Sequence, residues 1–286
     1  MISSELFILL SFEKRFLMQK KIMGIVNVTP DSYFDSGKYL EPKKAIDHAL
    51  KLLDEGADIL DIGGCSTRPF SHPPTIKEEI KRISPVVKEL KKRTNIPLSI
   101  DTYRYEVAKA ALDCGATFLN DIEGFRDPKM LELAKEYKAS ICIMHMQGNS
   151  QTMQINPLYP KGIIQEICDW LNKQCQSALA LGIQKKHIYL DPGIGFGKNL
   201  DDNFKILHNL SKFRELNFPL LVGLSRKSFL YKTLNTNPEK VLPATIAMNA
   251  YIYPNVDIFR VHDVLEHKQM LKVIEKVSKK PSHINL

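Results

Sequence analysis

No apolar stretch in this sequence is long enough to cross a bilayer. The longest near its start runs only from Leu6 to Leu10, against the roughly 20 residues a spanning helix needs, and Glu5 stands where a secretory leader carries positive charge. A cytoplasmic protein with no membrane partner is expected. Cysteine is sparse: Cys65, Cys114, Cys142, Cys168 and Cys175 form no C-x-x-C pair. Their odd number and wide scatter argue against a disulfide framework or a zinc site and suit free thiols in a reducing compartment. Internal repeats, low-complexity tracts and Pro/Gly-rich linkers are absent too, which removes any reason to divide the chain internally. Acidic residues fall short of basic ones, 32 against 40, leaving a net charge of +8. Such an excess admits nucleic acid, an anionic membrane surface or a phosphorylated substrate. The basic clusters Lys91-Lys92-Arg93 and Lys185-Lys186 are short and lack interleaved aromatics for stacking bases. They read as solvated helix surface, and no nucleic-acid partner is expected.

What the sequence does have is rhythm. Its 286 residues, 44% hydrophobic and 25% charged, suit one large domain. Short β-branched runs alternate with amphipathic segments in eight pairs, the mark of an α/β chain. Strands are expected at 22–28, 59–63, 97–101, 117–122, 140–145, 188–191, 219–224 and 257–261. Helical patterns between them include 42–56, where Pro42 suits a first turn, Ala45, Ile46, Ala49, Leu50 and Leu53 make an apolar stripe, and Gly56 closes it. The segments 75–92, 104–114, 160–181 and 263–277 behave alike. Continuous apolar runs such as Ile141-Cys142-Ile143-Met144 are typical of parallel strands covered by helices. No G-x-G-x-x-G follows the first strand, which weighs against a doubly wound sheet. The fold expected is a single (β/α)8 barrel over residues 22–278, with an N-terminal extension at 1–21 and a tail at 279–286.

Barrel enzymes build their sites at the C-terminal tips of the strands, and here nearly every tip is polar: Asn27, Asp61, Asp101 with Thr102, Asn120 with Asp121, His145, Asp191, Ser225 with Arg226 and Lys227, and Arg260 with His262. One such tip is adequately explained as a helix cap. Eight together are not, because lysine, arginine and histidine do not cap helix starts. Gly223 to Ser228 puts two cations and two hydroxyls where barrels often hold phosphate, and Arg260 and His262 stand on the next strand. The run Asp191 to Lys198 is glycine-dense, so backbone can approach a ligand closely, with Asp191 as a carboxylate and Phe196 as an apolar wall for a flat heterocycle. Asn27 can offer an amide oxygen to Mg²⁺, an ion that keeps waters and substrate phosphates as further ligands.

The motifs MGIVNVTPDS at 23–32, DIGG and STRP within 61–69, SIDT at 99–102, LNDI at 119–122, MHMQG at 144–148, LDPGIGFGKN at 190–199, LLVGLSRKS at 220–228 and FRVHDV at 259–264 stand in one order. Together they resemble the dihydropteroate synthase family over roughly residues 22–278. The resemblance implies a transferase of folate biosynthesis, a homodimer, that joins a hydroxymethyl-dihydropterin diphosphate to p-aminobenzoate and is a target of sulfonamides. It further implies that Asp101, Asn120, Asp191 and Lys227 bind the pterin edge, and that Arg260 covers a ring face. Arg68, Arg260 and His262 would hold diphosphate and, with Lys227, carry catalysis; Thr67, Pro69, Phe196, Lys227 and Ser228 would hold p-aminobenzoate; Asn27 would bind Mg²⁺. The chain departs from the family pattern at Cys65, where glutamate is usual, and in the loop Asp31 to Gly37. A pterin-binding methyltransferase barrel acting on methyltetrahydrofolate is the alternative. Two neighbouring polar residues read differently: Asp61 as a group orienting Arg68 or a metal-bound water, and His145 as a packed histidine.

Overall fold

The computed structural model describes residues 19–28, 41–65, 73–149 and 151–278. Among them are eight parallel strands: β1 (Lys21–Asn27), β2 (Ile59–Gly63), β3 (Leu98–Asp101), β4 (Phe118–Asp121), β5 (Ser140–Met144), β6 (Ile188–Asp191), β7 (Leu221–Gly223) and β8 (Ile258–Val261). Their order in the sheet is β6-β5-β4-β3-β2-β1-β8-β7. The two ends meet through a parallel bridge between Leu190 and Leu220 and a hydrogen bond from Leu190 N to Pro219 O. The sheet therefore closes into the expected barrel.

Side chains alternate across each strand, and here the alternation sorts chemistry. The outward set, including Ile22, Val26, Leu60, Ile62, Ile100, Leu119, Ile141, Leu190, Val222 and Phe259, lies in one buried cluster with the apolar faces of the helices. Deep inside, Met23, Ile59, Phe118, Cys142, Leu221 and Ile258 form a separate plug, with Tyr189 against it. Two residues further along the strands, the same inward parity delivers Asp61, Asn120 and Arg260, with Ser99 and Asp101 from β3. An apolar floor thus carries a polar layer towards the C-terminal mouth.

The helices are α1 (Glu41–Asp54), α2 (Ile76–Arg93), α3 (Tyr105–Asp113), α4 (Pro128–Glu136), α5 (Ile163–Ala180), α6 (Leu200–His208), α7 (Leu210–Arg214), α8 (Ser228–Thr233), α9 (Leu242–Ile252) and α10 (Val264–Ser278). Local chemistry fixes several starts. Thr75 and Glu78 form a reciprocal capping box at α2, as Asn199 and Asp202 do at α6, and Asp127 caps α4 ahead of Pro128. The Lys91-Lys92-Arg93 cluster is exposed in the last turn of α2, where cations suit the helix dipole and Glu89 pairs with Lys92 and Arg93.

Candidate active site

The inward residues above the plug form one hydrogen-bonded layer. Asp61, with no exposed surface, accepts from Ser99 Oγ at 2.6 Å, Asn120 Nδ2 at 3.1 Å and Arg260 Nε at 2.6 Å. The Arg260 guanidinium spans the barrel to Asp101, its Nη2 lying 2.6 Å from Oδ2. Asp61 thus holds Arg260; the expectation that it orients Arg68 falls on a residue outside the described ones. Two carboxylates facing one guanidinium leave the group short of positive charge. Burial then pushes the Asp101 carboxyl up to about 7, with the Asp61 charge adding to the rise and Arg260 opposing it. Arg260 is held above its usual range by the same two carboxylates, against the effect of its burial. Asp101 Oδ1 is buried without a hydrogen-bond partner among the described residues. An acceptor in that state is unusual unless a donor joins it, and the N–H groups of a flat heterocycle are such donors.

The opposite wall comes from β6 and β7. Asp191 is buried and accepts from Gly193 N at 2.7 Å. Burial raises its carboxyl pKa, countered chiefly by the nearby Lys227. Lys227 donates to Ile194 O, and its ammonium stands 4.5 Å from the Phe196 ring centroid. Burial lowers the Lys227 pKa to about 8, Asp191 and Asp101 opposing and Arg260 assisting. Asp101, Asn120, Asp191, Lys227, Arg260 and Phe196 therefore share one basin, linked by hydrogen bonds or by their fields.

Arg226 behaves differently from the expectation of two cations facing a phosphate. It takes a left-handed conformation (φ 57°), is exposed, and pairs with Asp263 at 2.9 Å. This turn sends Arg226 outwards, leaving Lys227 as the cation of the pair whose field reaches Asp191 and Asp101. His262, two residues beyond Arg260 and half-buried, places Nδ1 2.9 Å from the buried Ser225 Oγ. Ser228 is the first residue of α8 and half-buried. Asn27 ends β1 beside Gly63 with its side chain exposed. Thr67, Arg68 and Pro69, together with the Asp31–Gly37 loop, lie outside the described residues.

His145 is packed, as read from the sequence. It is 6% exposed, stands edge-on to Trp170 at 5.2 Å, and is held neutral, its pKa pushed down to about 2 by burial, Lys198 and Arg126. The need for glycine after β6 is partly internal. Gly193, Gly195 and Gly197 all have positive φ, and a Cβ on Gly193 would lie 1.9 Å from His145 O. Backbone closeness here serves the neighbouring β5 loop as well as any ligand. Two participants escaped the sequence reading. Ser99 was legible in principle, since it shares inward parity with Asp101; Lys198 was not, because a lysine ahead of a helix cap looks solvated.

Comparison with known proteins agrees with this geometry. The pterin binding enzyme family matches residues 23–262. A dihydropteroate synthase of Escherichia coli K12 is 39% identical over 260 residues, covering 91% of this chain and 92% of the relative. A crystal structure of the dihydropteroate synthase of Clostridium difficile with pteroic acid superposes with a TM-score of 0.86 at 41% identity, covering 92% of this chain and 98% of that one. The Xanthomonas albilineans enzyme with 4-aminobenzoic acid gives 0.86 at 36% identity, covering 93% and 95%.

Proposed function

Starting from the fact that this chain belongs to the pterin-binding enzyme family and has the dihydropteroate synthase activity of its relatives, we propose how its residues divide the work. The reaction condenses 6-hydroxymethyl-7,8-dihydropterin diphosphate with p-aminobenzoate to 7,8-dihydropteroate and diphosphate. The observation that carries the residue assignment is the buried Asp101 Oδ1, without a hydrogen-bond partner among the described residues, in register with Asn120 and within the field of Lys227, which also acts on Asp191. Asp101 and Asp191 accept from ring N–H and amino groups of the pterin, while the Asn120 amide and Lys227 supply donors for its ring nitrogen and carbonyl. A pterin edge alternates donors and acceptors, so this mixed set fits it better than carboxylates alone.

Arg260, fixed by Asp61 and Asp101, faces the ring and the charge that grows on the departing diphosphate. His262, held by Ser225, and Arg68 complete that end. As the methylene carbon–oxygen bond breaks, its electron pair leaves with diphosphate and positive charge spreads into the pterin. Preorganised cations beside the leaving oxygens favour this separation without reorganising at the moment of reaction. The amine of p-aminobenzoate, lying against Phe196 near Thr67, Pro69, Lys227 and Ser228, adds to the methylene carbon and releases a proton. No covalent enzyme nucleophile enters.

Mg²⁺ is the cofactor proposed. An exposed Asn27 amide at the β1 tip fits an ion that takes oxygen ligands and draws most of them from water and substrate phosphate. Bound there, it would neutralise charge on the diphosphate. We also propose a homodimer in the cytoplasm. Exposed Tyr251 on α9, and Val273 and Val277 on α10, support an interface between copies, and the five free cysteines suit a reducing compartment. No helix among the described residues is long and apolar enough to cross a membrane.

The test is diphosphate release from purified protein given the pterin diphosphate, with and without p-aminobenzoate and Mg²⁺. Stoichiometric diphosphate and dihydropteroate only when both additions are present is the expected result. Methyl transfer from methyltetrahydrofolate, with no condensation, would overturn it.

A further inference from the structure

The loop after β6 is tied down with unusual completeness. Four consecutive carbonyls each accept from a side chain: Ile194 from Lys227, Gly195 from Gln154 at 2.8 Å, Phe196 from Lys198 at 2.8 Å and Gly197 from Tyr159 at 2.6 Å. Lys198 is the member whose presence needs explaining. It is 3% exposed, and its ammonium reaches Phe196 O at 2.8 Å, His145 Nδ1 at 3.1 Å and His145 O at 3.2 Å. An ammonium has three protons and no lone pair, so three acceptors satisfy it, provided His145 is neutral with Nδ1 bare. Burying an ammonium with no carboxylate in hydrogen-bond contact among the described residues is costly, and burial accordingly pushes the Lys198 pKa well below its usual range, opposed by the fields of Asp191 and Asp202. An apolar side chain could fill the same space more cheaply, but it could not tie the tip of β5 to the carbonyl of Phe196.

We propose that Lys198 is a positioning residue for the aminobenzoate acceptor, clamping the Phe196 backbone to His145 so that the Phe196 ring keeps its place beneath Lys227. Among the described residues, Lys198 makes no hydrogen bond to the pterin-binding side chains and acts on them only through its charge, which with the larger effect of Lys227 opposes the rise that burial gives the Asp191 carboxyl. The bonds of Lys198 run to the β5 tip and to its own loop, so its loss frees the Phe196 wall while Asn120 and Arg260 stay held by Asp61, and Asp101 by Arg260. The inference rests on the reading that p-aminobenzoate lies against Phe196.

Steady-state kinetics of Lys198→Met with both substrates and Mg²⁺ tests it. The KM for p-aminobenzoate should rise about tenfold, a modest penalty for lost positioning, while the KM for the pterin diphosphate stays within about twofold. Gln154→Ala, which frees the adjacent Gly195 carbonyl from the exposed side, should shift the same constant in the same sense by less. An unchanged p-aminobenzoate KM, or an equal rise in both constants, in folded Lys198→Met overturns the proposal. If that variant does not fold, Gln154→Ala decides, and an unchanged constant there overturns it. Wild-type protein that releases no diphosphate would refute the proposed function itself, an outcome separable from either of these.

Discussion

At the scale of single residues, the site is defined by charges held where water would not choose to leave them. Burial pushes the Asp101 carboxyl up to about 7, against Arg260, and the Lys227 ammonium down to about 8, against Asp191, each towards its neutral form. The sign follows directly. A carboxyl whose pKa rises on folding favours the fold below the usual carboxylate range and loses that contribution as pH climbs through 7. A lysine whose pKa falls on folding opposes the fold while charged and is relieved as pH rises above 8. Both groups in their charged forms at neutral pH therefore cost stability, as expected of groups kept for binding. In the proposed division of roles, the Asp101 carboxylate grips Arg260 and the pterin, and the Lys227 ammonium donates. The kcat/KM for the pterin diphosphate should accordingly rise through an acid limb near pH 7 and fall through an alkaline limb near pH 8. Lys227→Met should abolish the alkaline limb along with most activity, and a flat profile from pH 6 to 9 would refute the assignment.

At the scale of elements, the strands were legible because parallel barrel strands are buried on both faces and stand out as β-branched runs. Expected and observed bounds differ by a residue or two, most at β7, where the expected 219–224 narrows to Leu221–Gly223. Helices with an amphipathic stripe, such as α1 and α2, were read nearly end to end. Helix α9 was not delimited, since its buried face carries Thr245 and Asn249 while apolar residues face outwards, which leaves Leu242 to Ile252 without a stripe to detect; α7 and α8 are too short to show a period. The polar tips were legible too, but their pairing was not. That Asp61 grips Arg260 from the far end of the chain, and that Arg226 turns away to Asp263, depends on barrel closure and on one left-handed residue. The floor under the site gives a test at this scale. Phe118 is 3% exposed in the plug with Met23, Ile59 and Cys142, so Phe118→Ala should lower unfolding free energy by about 3–5 kcal/mol. Chemical denaturation measures this, and a loss under about 1 kcal/mol would mean that the plug does not bear on the fold as described.

At the scale of the whole molecule, a closed barrel turns residues scattered between Asn27 and His262 into one basin, and it leaves apolar surface on the outer helices. Tyr251 is 60% exposed and Val273 64%, apolar surface that a contact between copies would cover. If copies pair through this surface, Tyr251→Glu should convert a dimer to a monomer in sedimentation or light scattering, with the barrel still folded. A wild-type chain that is monomeric at micromolar concentration would remove the proposed interface.

The central claim is that the inward tips converge on a single bicyclic ligand. A crystal structure with a non-hydrolysable pterin diphosphate analogue measures that most directly. The ring should lie between Asp101, Asn120, Asp191 and Lys227, with a new hydrogen bond to Asp101 Oδ1 and the diphosphate towards Asn27 and His262. An analogue bound elsewhere, or one leaving Asp101 Oδ1 without a donor, would contradict the account.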